Sequence, residues 1–192
     1  MKKILIGTHN SGKFREISQL LSKKVKKISP KKLKIKSPKE TGKTFDENAK
    51  IKAKYFFYYS NLPVISDDSG LCIKSLNEKP GIYSARYAKK YGSFYNAMKK
   101  ILKRMKNKKN RKATFVCSLS YISKSKKTIT VTGKINGKIA HSIQGKKGFG
   151  YDPIFIPNSN SVTFGQMNKR EKMKIDHRYV AFKKLKKKIK TF

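Results

Sequence analysis

Apolar positions recur along this chain in short blocks, some at alternate residues and some at helical spacing, and turn residues close each block. Lys2 to Thr8 predicts a buried strand that turns at His9 to Lys13. Phe14, Ile17, Leu20 and Leu21 then follow the period of a helix, with Asn10 or Ser11 placed to cap its first turn. Pro30 to Thr41 is rich in lysine and predicts a short edge strand centred on Leu33 and Ile35, where charge discourages pairing with other chains. Thr44 opens a second helix: Glu47 stands three residues on, as in a capping box, and Phe45, Ala49, Ala53, Phe56 and Phe57 form the apolar face. Leu62 to Ser66 predicts a buried strand that ends at Asp67, Asp68, Ser69 and Gly70. Strand, helix, strand in this order implies a right-handed crossover and a largely parallel sheet.

After Leu71 to Ser75 the residues Asn77 to Gly81 predict a loop, and about Phe94 to Met105 a helix with Ala97, Met98, Ile101 and Leu102 on one side. Ala113 to Ile122 and Thr128 to Ile135 alternate like strands, and Asn136-Gly137 is the strongest short hairpin signal, so this half of the sheet is predicted to be antiparallel. Pro153 to Pro157 predicts a short strand, and Thr163 with Gln166 a capped short helix. The last helix, from about Arg178 to Ile189, turns Ala181, Phe182, Leu185 and Ile189 inward. Neither a repeat nor a linker interrupts the pattern, so residues 1–192 are expected to form a single α/β folding unit.

Composition narrows the class. At 37% hydrophobic residues the chain can fill a core, but its first apolar stretch stops at Gly7 and no run approaches the roughly 18 to 20 residues of a membrane helix. A cytoplasmic protein with reduced core thiols at Cys72 and Cys117 is expected. The formal charge of +39, from 49 Lys+Arg against 10 Asp+Glu, would concentrate any polyanion nearby. The lysines are spread over the whole chain without interleaved aromatics, which argues against specific nucleic-acid binding and fits a lysine-biased surface.

Four stretches and one single residue, Glu47, carry candidate chemistry. Thr8, Asn10, Ser11, Gly12 and Lys13 form a polar strand-to-helix turn whose free amides suit a phosphate, although alone it reads equally as an ordinary capped helix. Asp67 and Asp68 place two carboxylates side by side, which repel unless a cation such as Mg2+ joins them; a solvated turn is the bland alternative. Glu47 is either a cap or a metal ligand. Phe149, Gly150, Tyr151 and Asp152 set aromatic rings in a glycine-rich loop where one can lie on a base, with plain turn-and-core packing as the alternative, and Asp176-His177-Arg178 offers donors for a carbonyl or phosphate oxygen, although alone it reads as a helix cap with a surface arginine.

Six blocks, T-H-N-S-G-K-F-R-E, E-T-G-K-T-F-D-E-N-A, S-D-D-S-G-L, P-G-I-Y-S-A-R-Y, G-F-G-Y-D-P-I-F and H-R-Y-V-A, together resemble the inosine and xanthosine triphosphate pyrophosphatases, in that family's order from Thr8 to Ala181. The resemblance implies an elongated mixed β-sheet with flanking helices, two lobes around a central nucleotide cleft, and a homodimer. It also implies that the segment Thr8, His9, Asn10, Ser11, Gly12 and Lys13 cradles the phosphates, that Asp68 is the general base and a Mg2+ ligand, and that Ser69 touches substrate. Lys52, Phe149, Gly150, Tyr151, Asp152, Lys172, His177 and Arg178 are the remaining nucleotide contacts it implies. Two positions depart from the family pattern. Lys39 stands where bacterial members carry the first glutamate of Glu-Glu-Thr-Gly, so Glu40 or Glu47 has to complete the metal site, and Asp176 replaces the usual serine before His177.

The expected reaction is hydrolysis of a deaminated purine nucleoside triphosphate to the monophosphate and pyrophosphate, with Lys13, Lys52 and Lys172 offsetting charge on the leaving group. Two alternatives stand beside it: a pyrophosphatase for modified pyrimidine nucleotides, and a basic nucleic-acid-binding protein without catalysis.

Overall fold

The computed structural model describes residues 2–189. In chain order its elements are β1 (Lys3–Ile6), α1 (Ser11–Leu20), β2 (Lys26–Ile28), α2 (Phe45–Ser60), β3 (Val64–Ile73), β4 (Lys79–Pro80), α3 (Ser84–Lys90), α4 (Phe94–Met105), β5 (Lys112–Ile122), β6 (Thr128–Ile139), β7 (Phe155–Pro157), α5 (Lys169–Ile175) and α6 (His177–Lys188). The strands make one mixed sheet in the order β2-β1-β3-β5-β6-β7, with β4 paired to β3. β1 runs parallel to both β2 and β3, whereas β4 is antiparallel to β3 and β7 antiparallel to β6. Among the described residues no helix is long and apolar enough to cross a membrane.

Residues 2–68, Cys117–Gly133 and 178–189 form one compact unit; Ser69–Val116 and Lys134–His177 form the other. In the first unit the alternation of strand side chains separates two cores. Ile4, Ile6 and Ile65 pack with Ile17 of α1 and with Ala181, Phe182 and Leu185 of α6. Leu5 and Val64 point the other way, onto Ala53 and Phe56 of α2. The second unit has its own core, in which Leu71 and Ile73 of β3 meet Ala97, Met98 and Ile101 of α4 and the rings of Phe115, Phe155 and Phe164. Cys72 and Cys117 are both buried thiols, and burial pushes the Cys72 thiol up to about 11, well away from thiolate reactivity.

Three expectations need correction. The edge strand is Lys26–Ile28, while Pro30–Leu33 is a 3-10 turn. Pro30 has no amide for a ladder and presets a helical φ, Ser29 Oγ accepts from the Lys32 amide at 3.3 Å, and Ile35 serves as a partly buried prop of the α2 core. Secondly, β3 does not stop at Ser66 but continues as one ten-residue strand through Asp67, Asp68 and Gly70 to Ile73. Polar residues are tolerated in mid-strand here because their buried groups find partners, described below.

Thirdly, Asn136 and Gly137 make no turn. β6 runs through them to Ile139, and the chain reverses instead at residues 123–127, where Ser123 and Lys127 share a backbone bond and Lys126 takes φ 62°. Asn136 bonds Thr114 by its side chain, and Gly137 lies opposite Pro157 of β7. A Cβ at Gly137 would sit 2.2 Å from the Ile156 carbonyl oxygen and 2.7 Å from the Phe155 ring, so glycine is there for close approach of strands. Gly137→Ala should therefore destabilise the protein by about 1–3 kcal/mol, read as a lowered melting temperature; an unchanged value would mean that β7 yields freely.

The sequence pattern also missed α3 and α5. No side chain caps α3, whose N-cap is Tyr83, whereas Asn168 and Glu171 form a full capping box for α5; the short helix expected at Thr163 and Gln166 is instead a turn before it, in which the two residues bond one another.

Candidate functional site

In the first unit, one face of β3 looks toward α1 and α6, the other toward α2. Asp67 shares the direction of Ile65 and Asp68 that of Val64, so neighbouring carboxylates meet different partners. Asp67, fully buried, receives Lys13 Nζ at 3.1 Å and Arg178 Nε at 3.6 Å. Burial opposes its ionisation, but Lys13, Arg178 and Lys52 prevail and hold the carboxyl down at about 2. Arg178 is itself fixed by Glu16, Nη1 to Oε2 at 2.6 Å.

Asp68 meets weaker compensation. Asn48 Nδ2 donates to its Oδ2 at 3.1 Å, and Lys52 Nζ stands 3.5 Å from Oδ1. Burial raises the Asp68 carboxyl, Lys52 and Lys13 pull it down, Glu40 and Asp67 push it up, and the result lies above the ordinary carboxylate range. Lys52 also holds Glu40 Oε1 at 2.5 Å. Burial works against the Lys52 ammonium, yet Asp68, Asp67 and Glu40 outweigh it and raise its pKa. Two adjacent carboxyls are thus driven apart: Asp67 is held ionised among cations, while Asp68 lies above the ordinary carboxylate range.

The turn before α1 has the form expected of it. Asn10 Oδ1 accepts from the Lys13 amide at 3.0 Å and caps the helix, and Thr8 Oγ1 accepts from the Asn10 amide at 3.2 Å. The amides of Ser11 and Gly12 open the first turn, where no preceding carbonyl of the helix can reach them. His9 is exposed, its Nδ1 2.7 Å from Ser37 Oγ. Glu47 is also exposed and follows the capping alternative: its amide bonds Thr44 Oγ1, and Oε2 accepts from the Lys43 amide at 2.7 Å. Among the described residues no three or more His, Cys, Asp or Glu side chains gather as a metal cluster.

The second unit holds the other expected residues. Asp152 Oδ2 accepts from the Phe149 amide at 2.8 Å and from Lys172 Nζ at 2.7 Å, so one buried carboxylate folds the glycine-rich loop and aims the lysine. Lys172 Nζ also lies over the rings of Phe149 and Phe164, at 5.2 Å and 5.6 Å from their centroids. Phe149 and Gly150 are half-buried, as is Ser69 in β3. Tyr151 follows the core-packing alternative: it is a core residue, edge-on to Phe94, with its hydroxyl donating to the Ser84 carbonyl at 2.9 Å. His177 is buried and stacks on Phe115, centroids 4.7 Å apart and planes 8° from parallel.

Asn48, Glu16 and the anchoring role of Asp67 were not evident in the sequence. Asn48 sits one turn before Lys52 on the face of α2 that carries Ala49 and Ala53, a pattern that could have marked it as an inward polar residue.

Several known proteins are similar to this chain over nearly its whole length. The model of the Ham1 family matches residues 4–188. A dITP/XTP pyrophosphatase of Dictyoglomus thermophilum is 42% identical over 95% of this chain and 92% of its own, and one of Borreliella burgdorferi is 44% identical over 97% and 96%. Among solved structures, the Staphylococcus aureus Ham1 protein superposes with a TM-score of 0.86 at 36% identity, covering 97% of both chains. A HAM1 protein from Coxiella burnetii gives 0.87 at 35% identity, over 97% of this chain and 98% of that one.

Proposed function

The chain belongs to the Ham1 family, and from that premise we propose that it is a nucleoside triphosphate pyrophosphatase that converts dITP, ITP and XTP to their monophosphates and pyrophosphate. The observation that carries this is the divided carboxyl pair, with Asp67 ionised between Lys13 and Arg178 and Asp68 raised beside Lys52.

Asp68 takes the proton of the attacking water, and its raised pKa brings it closer to the working pH of a general base. The water oxygen bonds the α-phosphorus as the bond to the α,β-bridging oxygen breaks, and pyrophosphate departs. Lys13 and Lys52 oppose the charge that collects on the departing group, and the opening amides of α1 bind phosphate oxygens. The Asp68 and Glu40 carboxylates flank one ammonium, and Glu40 adds to the cost of ionising Asp68, a donor set suited to Mg2+, which takes one or two carboxylates and completes its shell with water and phosphate. When bound there, Mg2+ supplies charge neutralisation to phosphate oxygens. Glu47, engaged with its own loop, is left out of this set.

Phe149, Lys172 and His177 are assigned to the nucleotide, with Asp152 orienting the first two; the assembly is taken to be a homodimer. Donors aimed at a 6-oxo group would be left unpaired by adenine, a mismatch worth about 10⁴-fold. The test is pyrophosphate release from dITP, XTP, ATP and a set of modified pyrimidine triphosphates, with and without Mg2+. Rapid Mg2+-dependent hydrolysis of dITP and XTP over ATP is expected. Preference for a pyrimidine, or no release at all with salt-sensitive RNA binding instead, would overturn the assignment.

A further inference from the structure

Asn48 is wholly buried on α2, and its two amide atoms are committed in opposite directions. Oδ1 accepts from the Gly42 amide at 2.9 Å, while Nδ2 donates to Asp68 Oδ2 at 3.1 Å. A backbone N–H can only donate, so the Gly42 contact fixes which end of the amide is oxygen and leaves Nδ2 for Asp68. The other Asp68 oxygen faces Lys52, and Lys52 holds Glu40, two residues before Gly42. These contacts close a ring: Asp68 to Asn48, to the Glu40-Thr41-Gly42 segment, to Lys52 and back to Asp68. The loop leans directly on the amide, since a Cβ at Gly42 would lie 2.7 Å from Asn48 Oδ1 and 2.9 Å from the Asn48 nitrogen.

We propose that Asn48 is a positioning residue that sets the rotamer of Asp68 and couples it to the Glu40 segment, an inference that rests on Asp68 acting as the general base. The amide acts through Asp68 and is assigned no contact with the nucleotide. It holds one carboxylate oxygen while Lys52 faces the other, so the carboxylate plane is defined before substrate arrives. Lys13 and Arg178 are held by Asp67 and Glu16 and the turn before α1 by its own side chains, none of them in the ring, and Lys52 keeps its contact with Glu40 when the amide is lost. Loss of the amide should thus degrade the chemical step and spare binding of the triphosphate.

The test compares wild type, Asn48→Ala, Gly42→Ala and the double variant for dITP hydrolysis. Binding of α,β-methylene dITP, which cannot be cleaved at that bond, is measured by calorimetry, and folding by melting temperature. Misaiming a base by about 1 Å can cost 10²-fold, so kcat of Asn48→Ala is expected to fall about 10- to 100-fold, with KM and analogue affinity within about threefold of wild type. Gly42→Ala reaches the same link from its other end and serves if Asn48→Ala does not fold. The double variant should be no slower than the slower single one, because both changes remove one interaction. A folded Asn48→Ala with unchanged kcat, or one whose loss lies in analogue affinity, overturns the inference while wild-type activity keeps the proposed function intact. Wild type inert toward dITP removes both.

Discussion

Asp68→Asn should lower pyrophosphate release from dITP by about 10²- to 10⁴-fold and leave the protein at least as stable as before. The substitution keeps the shape of the side chain and removes the proton acceptor. Lys52 retains Glu40 at 2.5 Å, so no cation is stranded. The stability side follows from linkage. Asp68 has a folded pKa above its ordinary value, chiefly because of burial, so its contribution is complete at low pH and is lost as pH rises through the raised pKa. Asparagine does not titrate. The melting temperature of Asp68→Asn, measured with chelator present, should therefore exceed that of wild type at pH 8, and the difference should shrink toward pH 4. Wild-type rates in the folded variant would remove Asp68 from the base role; a gap that widened on acidification would contradict the raised pKa.

That such opposite behaviour is expected of adjacent residues explains which parts of the molecule were legible beforehand. The long amphipathic helices were: α2 begins at its Thr44 cap and α4 spans the predicted Phe94 to Met105, because a 3.6-residue apolar period and a capping side chain are local properties. The strand through the acidic pair was not, since two aspartates read as a strand's end unless buried counter-charges are known. The groups that hold the pair come from afar: Asn48, whose amide bonds Asp68, lies 20 residues from it, and Glu16, which fixes the cation Arg178, lies 162 residues from that arginine. Local preference also misled where packing prevailed, as at Asn136-Gly137, whose turn tendency gives way to the close approach of β7. Among the site residues, the motif blocks singled out Lys13, Lys52, Asp68 and Arg178, which the first unit holds in buried contacts. What they could not reveal is that strand parity sends Asp67 to α1 and α6 but Asp68 to α2, or that Tyr151 belongs to the core while Phe149 stays half-exposed.

Asp67→Asn should be the converse of the first substitution, costing about 3–5 kcal/mol of stability, the range typical of a buried ion pair broken on one side. Asp67 is fully buried, and its loss leaves Lys13 without its carboxylate and Arg178 with Glu16. For a chain of this size such a loss lowers the melting temperature by about 10 °C. The pH dependence has the opposite sign to that of Asp68. Burial raises the Asp67 carboxyl, but the surrounding cations bring it from 3.8 to about 2, so its stabilisation is present above the unfolded pKa and disappears as pH falls through the folded value. That interval corresponds to about 2 kcal/mol, and the gap between wild type and Asp67→Asn in denaturant unfolding should narrow by that amount between pH 4 and pH 2. A gap independent of pH would mean that Asp67 is not the ionised partner of Lys13 and Arg178. The division of labour along β3 would then fail, because a neutral Asp67 could no longer hold the two cations beside a neighbour left to accept protons.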